Sequence, residues 1–265
     1  MRTIIASAIV IALTAGTPRA EPVAAVSVSY NIDVGPLTVT EVRYKLTREG
    51  EALRSQALIR SQGISRVFAE YSASAEAESR AEGSEIAPRR FTLLRQKEDR
   101  LKRTALEWTG ENALAYSPQE KKPERRARIA EALKVEVADP MTAVLRIGTS
   151  GQVPCPSVQR IFDGRDVYEL ALADKGVGEL KDGEGYRGPV KRCSVSWTPI
   201  AGRAAEKNEP RDTYEAAFAP AGELPSGRTL WLPVVMSGKL KGLRFNAYAT
   251  SFAMQPAQVE GEALR

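Results

Sequence analysis

The chain has 265 residues, 43% hydrophobic and 27% charged, which is the composition of an ordinary soluble globular protein. It carries 38 Lys and Arg against 33 Asp and Glu, a net charge of +5, and it contains no histidine. Without imidazole there is no Ser-His-Asp or Cys-His relay and nearly no common catalytic zinc or copper site, and two cysteines are too few for a Cys-rich zinc site.

Residues 1–20 read as a secretory signal peptide. Arg2 gives the positive start, Ile4 to Leu13 a short apolar stretch, and small residues with a turn follow through Pro18. Cleavage is expected after Ala20, with Gly16 as the other candidate. The stretch is shorter than the roughly 20 residues of a membrane-spanning helix; the competing reading is an uncleaved anchor. No cysteine lies near the cleavage region, so no lipid-modified cysteine is expected there. Removing residues 1–20 takes away Arg2 and Arg19 and no acid, leaving +3, which is not a nucleic-acid footprint. Residues 21–265 are expected to form one exported β-rich domain.

Period-two alternation begins early. Thr40, Val42, Tyr44 and Leu46 face one way and Glu41, Arg43, Lys45 and Thr47 the other, the pattern of a half-buried antiparallel strand. Turn chemistry at Arg48-Glu49-Gly50-Glu51, Ala81-Glu82-Gly83-Ser84 and Thr109-Gly110-Glu111-Asn112 separates such strands.

The rhythm breaks once, over about 123–147. Pro123 to Lys134 is rich in helix formers, with Ile129 and Leu133 on one face and Pro123 suited to the first turn. Asp139-Pro140 makes an N-cap followed by an N1 proline for a second helix, whose apolar face would be Met141, Val144 and Leu145 and whose stop would be Gly148. The run Lys121-Lys122, Arg125-Arg126, Arg128 reads as the solvated face of the first helix; its other reading is peripheral contact with anionic lipid headgroups.

Strands resume afterwards. Phe162-Asp163-Gly164-Arg165 suits a hairpin turn. Tyr168-Leu170-Leu172, Cys193-Val195-Trp197 and Leu243-Phe245-Ala247-Ala249 each alternate, and turns are expected at Lys181 to Gly185 and at Ser237-Gly238-Lys239. Gly185-Tyr186-Arg187-Gly188-Pro189 reads as a bend carrying an amphipathic Tyr, or as a loop presenting Tyr186 and Arg187 for binding. Residues 255–265 show no pattern and are expected to fray. In an oxidising compartment Cys155 and Cys193 are expected to form a disulfide. Closing a loop of that length stabilises a fold by roughly 4 kcal/mol in the chain-entropy model.

The layout is mainly β: a single strongly curved antiparallel sheet, a β-spiral or half-open barrel of about a dozen strands, with the two-helix insertion covering or plugging its concave face. A β-sandwich is the competing architecture. Chemistry is sparse. Asp163 and Asp166 lie three apart across a turn, Ser237 and Lys239 lack the S-x-x-K spacing, and Asp182-Gly183-Glu184 lacks the ligand density of a calcium loop. A non-enzyme with no cofactor and no metal site is expected.

Several of these segments together resemble a known family. They are Asp139-Pro140-Met141-Thr142-Ala143-Val144-Leu145, Cys155, Ile161 to Leu170, Gly185 to Pro189, Cys193 and Pro199-Ile200-Ala201-Gly202, with Tyr30, Gly35-Pro36-Leu37 and Ser61-Gln62-Gly63 in the first half. The chain resembles the uncharacterised periplasmic family called domain of unknown function 3108, common in alphaproteobacteria, over about residues 25–255. The resemblance implies a Gram-negative envelope protein without an assigned enzyme activity. The architecture is also similar to β-spiral and half-barrel envelope proteins such as the Lol lipoprotein carriers, by analogy alone.

The function expected is therefore binding or carrying an apolar ligand (a lipid, an acyl chain, or a lipidated or hydrophobic peptide) in the curved-sheet cleft. Tyr44, Tyr168, Leu170, Val195, Trp197 and Phe245 would line it, with Leu133, Val144 and Leu145 as the helical plug. The alternatives are a structural or protein-interaction module of the envelope and, third, a carboxylate-based hydrolase of cell-wall polymers.

Overall fold

A computed structural model describes residues 23–63, 71–110, 114–117, 120–206, 213–224, 226–240 and 242–256. The expected signal peptide and residues 257–265 of the expected tail lie outside them.

The first half is a meander of β1 (Val23–Val34), β2 (Leu37–Glu49), β3 (Ala52–Ser61), β4 (Tyr71–Glu82), β5 (Glu85–Lys97), β6 (Arg100–Trp108) and β7 (Leu114–Tyr116). The insertion holds α1 (Pro123–Ala132) and α2 (Pro140–Thr149). The second half is β8 (Ser157–Phe162), β9 (Val167–Leu180), β10 (Gly188–Ala201), a short α3 (Arg203–Glu206), β11 (Thr213–Glu223), β12 (Thr229–Leu240) and β13 (Leu243–Pro256). Alternation explains the strands. In β4, for example, Ala73, Ala75 and Ala77 are buried while Glu76 is exposed. Tight turns between them are made by glycines such as Gly50 and Gly83, both at φ 60°.

All thirteen strands form one antiparallel sheet in the order β7-β6-β5-β4-β3-β2-β1-β13-β12-β11-β10-β9-β8. A single long-range pairing, β1 with β13, joins the two meanders. The sheet does not close by hydrogen bonds, yet its two edge strands meet through side chains. The ring of Tyr116 on β7 stands edge-on to that of Phe162 on β8 with centroids 5.1 Å apart. Beyond β8, Ala138 occupies the free edge, donating to the Arg160 carbonyl at 3.0 Å and accepting from the Phe162 amide at 2.9 Å. That cover blunts an edge open to unwanted pairing.

Helix α2 fills the concavity. It is capped as its sequence requires: Asp139 Oδ1 accepts from the amides of Met141 and Thr142, each at 2.9 Å, and Pro140 occupies the first turn. Its other end is held by Arg228, whose Nη1 donates to the Thr149 and Ser84 carbonyls at 2.8 Å, placing a cation at the helix C-terminus. Between these ends the helix feeds four separate core clusters. Leu145 packs with Val26, Val28, Leu46, Leu53, Leu230 and Leu232. Met141 joins Phe91, Leu106, Trp108 and Phe162. Ile147 joins the disulfide, Val195 and Phe218, and Ala143 joins Ala138 and Ile161. Burial of a Leu or Ile side chain contributes about 1.5–3 kcal/mol, so this one helix ties both halves of the sheet together.

The one-sheet, helix-filled architecture replaces the sandwich alternative. Some local expectations shift. Helix α2 is buried nearly all round, with Pro140, Val144 and Arg146 its half-buried positions, because it is a central element and not a surface one. It runs through Gly148 to Thr149, so Gly148 is no stop. Ser237-Gly238-Lys239 lies inside β12, where Gly238 makes room for the Tyr214 ring, and Gly242, at φ 83°, leads into β13. Gln255 and Pro256 still pair with β1, so the strand enters the expected tail.

Candidate functional site

The sheet parts between β12 and β13. β12 and β13 pair from Val235–Tyr248 to Leu240–Leu243. Past that point β13 continues along β1 as far as Pro256, while β12 stays with β11. The tip of the β9–β10 hairpin folds into the gap. Gly185 donates its amide to the Ala249 carbonyl at 3.0 Å. A β-carbon at Gly185 would collide with the backbone of Thr250 and Ser251, so the approach requires glycine. Tyr186 follows, its ring edge-on to Phe252 at 5.2 Å and its hydroxyl donating to the Pro189 carbonyl at 2.9 Å.

A crevice of about 560 Å³ results. Its apolar surface comes from Leu180, Tyr186, Val234, Val235, Tyr248 and Ala249, and its rim carries Glu179, Lys181, Asp182, Glu184 and Asn246. The floor is continuous with the largest core cluster, to which Val234 and Ala249 belong. Beside it Tyr30 donates to the Pro233 carbonyl at 2.8 Å. Burial, and then the neighbouring Tyr44, push its phenol far above the ordinary range, so it stays neutral. The arrangement offers apolar contact with a charged, orienting margin.

The residues expected to line a central cleft are placed elsewhere. Tyr44 packs between the first two clusters, its hydroxyl 3.1 Å from Ser55 Oγ and its pKa pushed up to about 12 by burial. Tyr168 and Trp197 are ring neighbours at 6.0 Å, and burial also raises the Tyr168 phenol. Leu170 bridges the third and fourth clusters, Val195 packs beside the disulfide, and Phe245 meets Tyr214 at 5.5 Å. Leu133 borders the second cluster, and Val144 and Leu145 belong to the first. Seven of the nine are spread over four clusters, Trp197 and Phe245 belong to none of them, and the nine are not gathered around one pocket. The crevice residues Val234, Val235 and Ala249 were missed, although the glycine-flanked Tyr186 was a readable signal.

The other candidates have structural work. Asp163 Oδ1 accepts from the Arg165 and Asp166 amides at 2.8 Å, holding the β8–β9 turn. Asp166 Oδ1 accepts from the Arg203 amide at 2.5 Å and the Ala204 amide at 3.2 Å, while its Oδ2 meets Arg165 at 2.6 Å. Both carboxylates are thus engaged. Cys155 and Cys193 are disulfide-bonded with Cα atoms 6.2 Å apart. The basic run is broken up: Arg125 is buried and paired with Glu120 at 2.6 Å and with Glu206, which also takes Arg128. The Lys122 amide, then Arg125, hold Glu120 down to about 2.

A family model described as "Protein of unknown function (DUF3108)" matches residues 29–220. Among solved structures the chain is similar to a β-barrel-like protein of domain of unknown function DUF1849 from Brucella abortus, at 9% identity and a TM-score of 0.46, covering 89% of this chain and 99% of that one. No curated protein matches. With most of its length matched by the family model, the chain belongs to the DUF3108 family.

Proposed function

We propose that this family member is a non-enzymatic binding module of the periplasm, which holds an apolar ligand in the crevice between β12 and β13. The ligand class is a lipid acyl chain or a hydrophobic peptide segment. One observation carries the reading: the sheet opens there onto its own core, exposing an apolar floor inside a charged rim. The volume lies in the range of ligand pockets, about 300–1,000 Å³. The periplasmic setting is supported by the disulfide, which suits an oxidising compartment, and by the signal-like start of the sequence. The non-enzymatic reading is supported by the engagement of Asp163 and Asp166 in turn and helix-start hydrogen bonds.

Native mass spectrometry of protein purified from membrane-containing lysate tests this. Bound species of lipid or peptide mass are expected, and Val235→Lys, which places a charge on the floor, is expected to remove them. Bare protein in every preparation, or adducts indifferent to Val235→Lys, would oppose the reading.

A second reading, a structural or protein-interaction module of the envelope, is favoured by a different observation. Helix α2 fills the concavity that a carrier of the half-barrel kind would leave open.

A further inference from the structure

The two rims of the curved sheet differ in chemistry. Antiparallel order places the β1–β2, β5–β6 and β8–β9 turns and the start of β13 on one rim, and the Gly35 amide bonded to the Arg244 carbonyl at 3.1 Å locks the β1–β2 turn beside β13. The β2–β3, β4–β5 and β11–β12 turns lie on the other rim, tied by Arg228 donating to Ser84. All three exposed leucines among the described residues stand on the first rim: Leu37 at 49% exposure, Leu101 at 67% and Leu243 at 63%. Basic side chains surround two of them. Lys97, Arg100 and Lys102 flank Leu101, against Glu98 and Asp99; Lys239 and Arg244 flank Leu243. The turns of the other rim carry Glu49, Glu51, Glu82, Glu85 and Glu223 against Arg48 and Arg228, with Glu51 and Glu82 paired to Arg80 and Arg89.

Exposed leucines at turn tips are poor surface in water. The same tips within a basic collar match an interface where apolar side chains enter the acyl boundary and cations meet phosphate headgroups. The acidic rim at the far end would be repelled by that surface, so the charge asymmetry also sets an orientation. We infer that the leucine-bearing rim docks on an anionic phospholipid bilayer, with Leu101 and Leu243 inserted and the acidic rim turned away. This contact is separate from the crevice between β12 and β13 and does not depend on what that crevice holds. It also differs from the Lys121–Arg128 run, whose Arg125 and Arg128 are engaged with acids.

Vesicle flotation tests it, with phosphatidylcholine vesicles and with phosphatidylcholine–phosphatidylglycerol vesicles. The protein is expected to float with the anionic vesicles alone and to be released as salt screens the charges. Leu101→Asp with Leu243→Asp brings two anionic groups to the surface and is expected to lower partitioning at least about tenfold, each charge there being worth about 1 kcal/mol. Arg100→Gln with Arg244→Gln reads the same rim without touching the leucines, should the first pair disturb folding. Glu49→Gln with Glu85→Gln, on the opposite rim, is expected to leave partitioning unchanged or raise it. Failure to float with anionic vesicles would overturn the inference. So would flotation indifferent to both rim pairs, or capture by a soluble polyanion such as dextran sulfate without any vesicle binding.

Discussion

Gly148 of α2 lies directly against Trp231 of β12, so close that a β-carbon on Gly148 would collide with the Trp231 carbonyl. The glycine sits in the middle of the last helical turn, where its flexibility is unfavourable, and the close approach is what it provides. This contact seats the central helix on the sheet. Gly148→Ala is expected to destabilise the fold by about 1–3 kcal/mol through overpacking, and Leu145→Ala by about 2–5 kcal/mol through the cavity it leaves. Urea denaturation of the two variants measures both. Wild-type stability in either would mean that α2 does not fill the interior as described.

Asp139 starts that helix from within the core. Its Oδ1 caps two amides, and its Oδ2 has no hydrogen-bond partner. Burial raises its pKa above the ordinary 3.8, against the pull of Thr142 and the capping amides. The folded state therefore holds the proton more tightly than the unfolded chain. Stability from this group is greatest below 3.8 and falls as pH rises through the raised folded value. Asp139→Asn keeps the capping oxygen and removes the ionisation. It is expected to gain on the wild type as pH rises, whereas Asp139→Ala loses the cap at a cost of about 1 kcal/mol. Thermal midpoints across pH separate the two effects, and a gap between Asn variant and wild type that is flat with pH would contradict the assignment.

Glu120 shows the opposite sign. Its carboxylate is held down to about 2, first by the Lys122 amide and then by Arg125. Its contribution is fully present above the ordinary value of 4.5 and is lost as pH falls through the folded value. The stability difference between wild type and Glu120→Gln should be constant above pH 4.5 and vanish on approach to pH 2. A difference that persists unchanged in acid would show that Glu120 is not held by its charge.

The disulfide closes 38 positions. Cys155→Ser is expected to lower stability by roughly 4 kcal/mol. Cys193 is fully buried beside Val195 and Phe218, so its freed thiol should react with a thiol reagent in the unfolded protein and be shielded in the folded one. Equal stability of variant and wild type in oxidising buffer would deny the bridge an energetic role.

Local physics was legible and long-range assembly was not. The alternation at Val42, Tyr44 and Leu46, the Asp139-Pro140 helix start and the Gly164 turn each declare themselves within a few residues. The β1–β13 pairing joins segments more than 200 positions apart, and no local pattern announces it. β11 is buried on both faces, with Ala216 and Phe218 in one cluster and Ala217 and Ala219 in another, and the alternation of a half-buried strand does not announce such an element. The crevice exists because two strands part, a consequence of sheet curvature and of the β9–β10 tip, and its residues therefore looked like ordinary core positions. Of the residues expected to line a cleft, Val195 and Leu145 are core, because α2 already occupies the interior.

The most direct test is a methyl-resolved NMR titration with a short-chain lysophospholipid below its micelle concentration. The account predicts shifts at Val234, Val235, Ala249 and Leu180, with Leu145 and Val144 on the central helix unmoved. Shifts centred on Leu145 and Val144, which would mean that the ligand displaces the helix, or no shifts anywhere at saturating ligand, would contradict it.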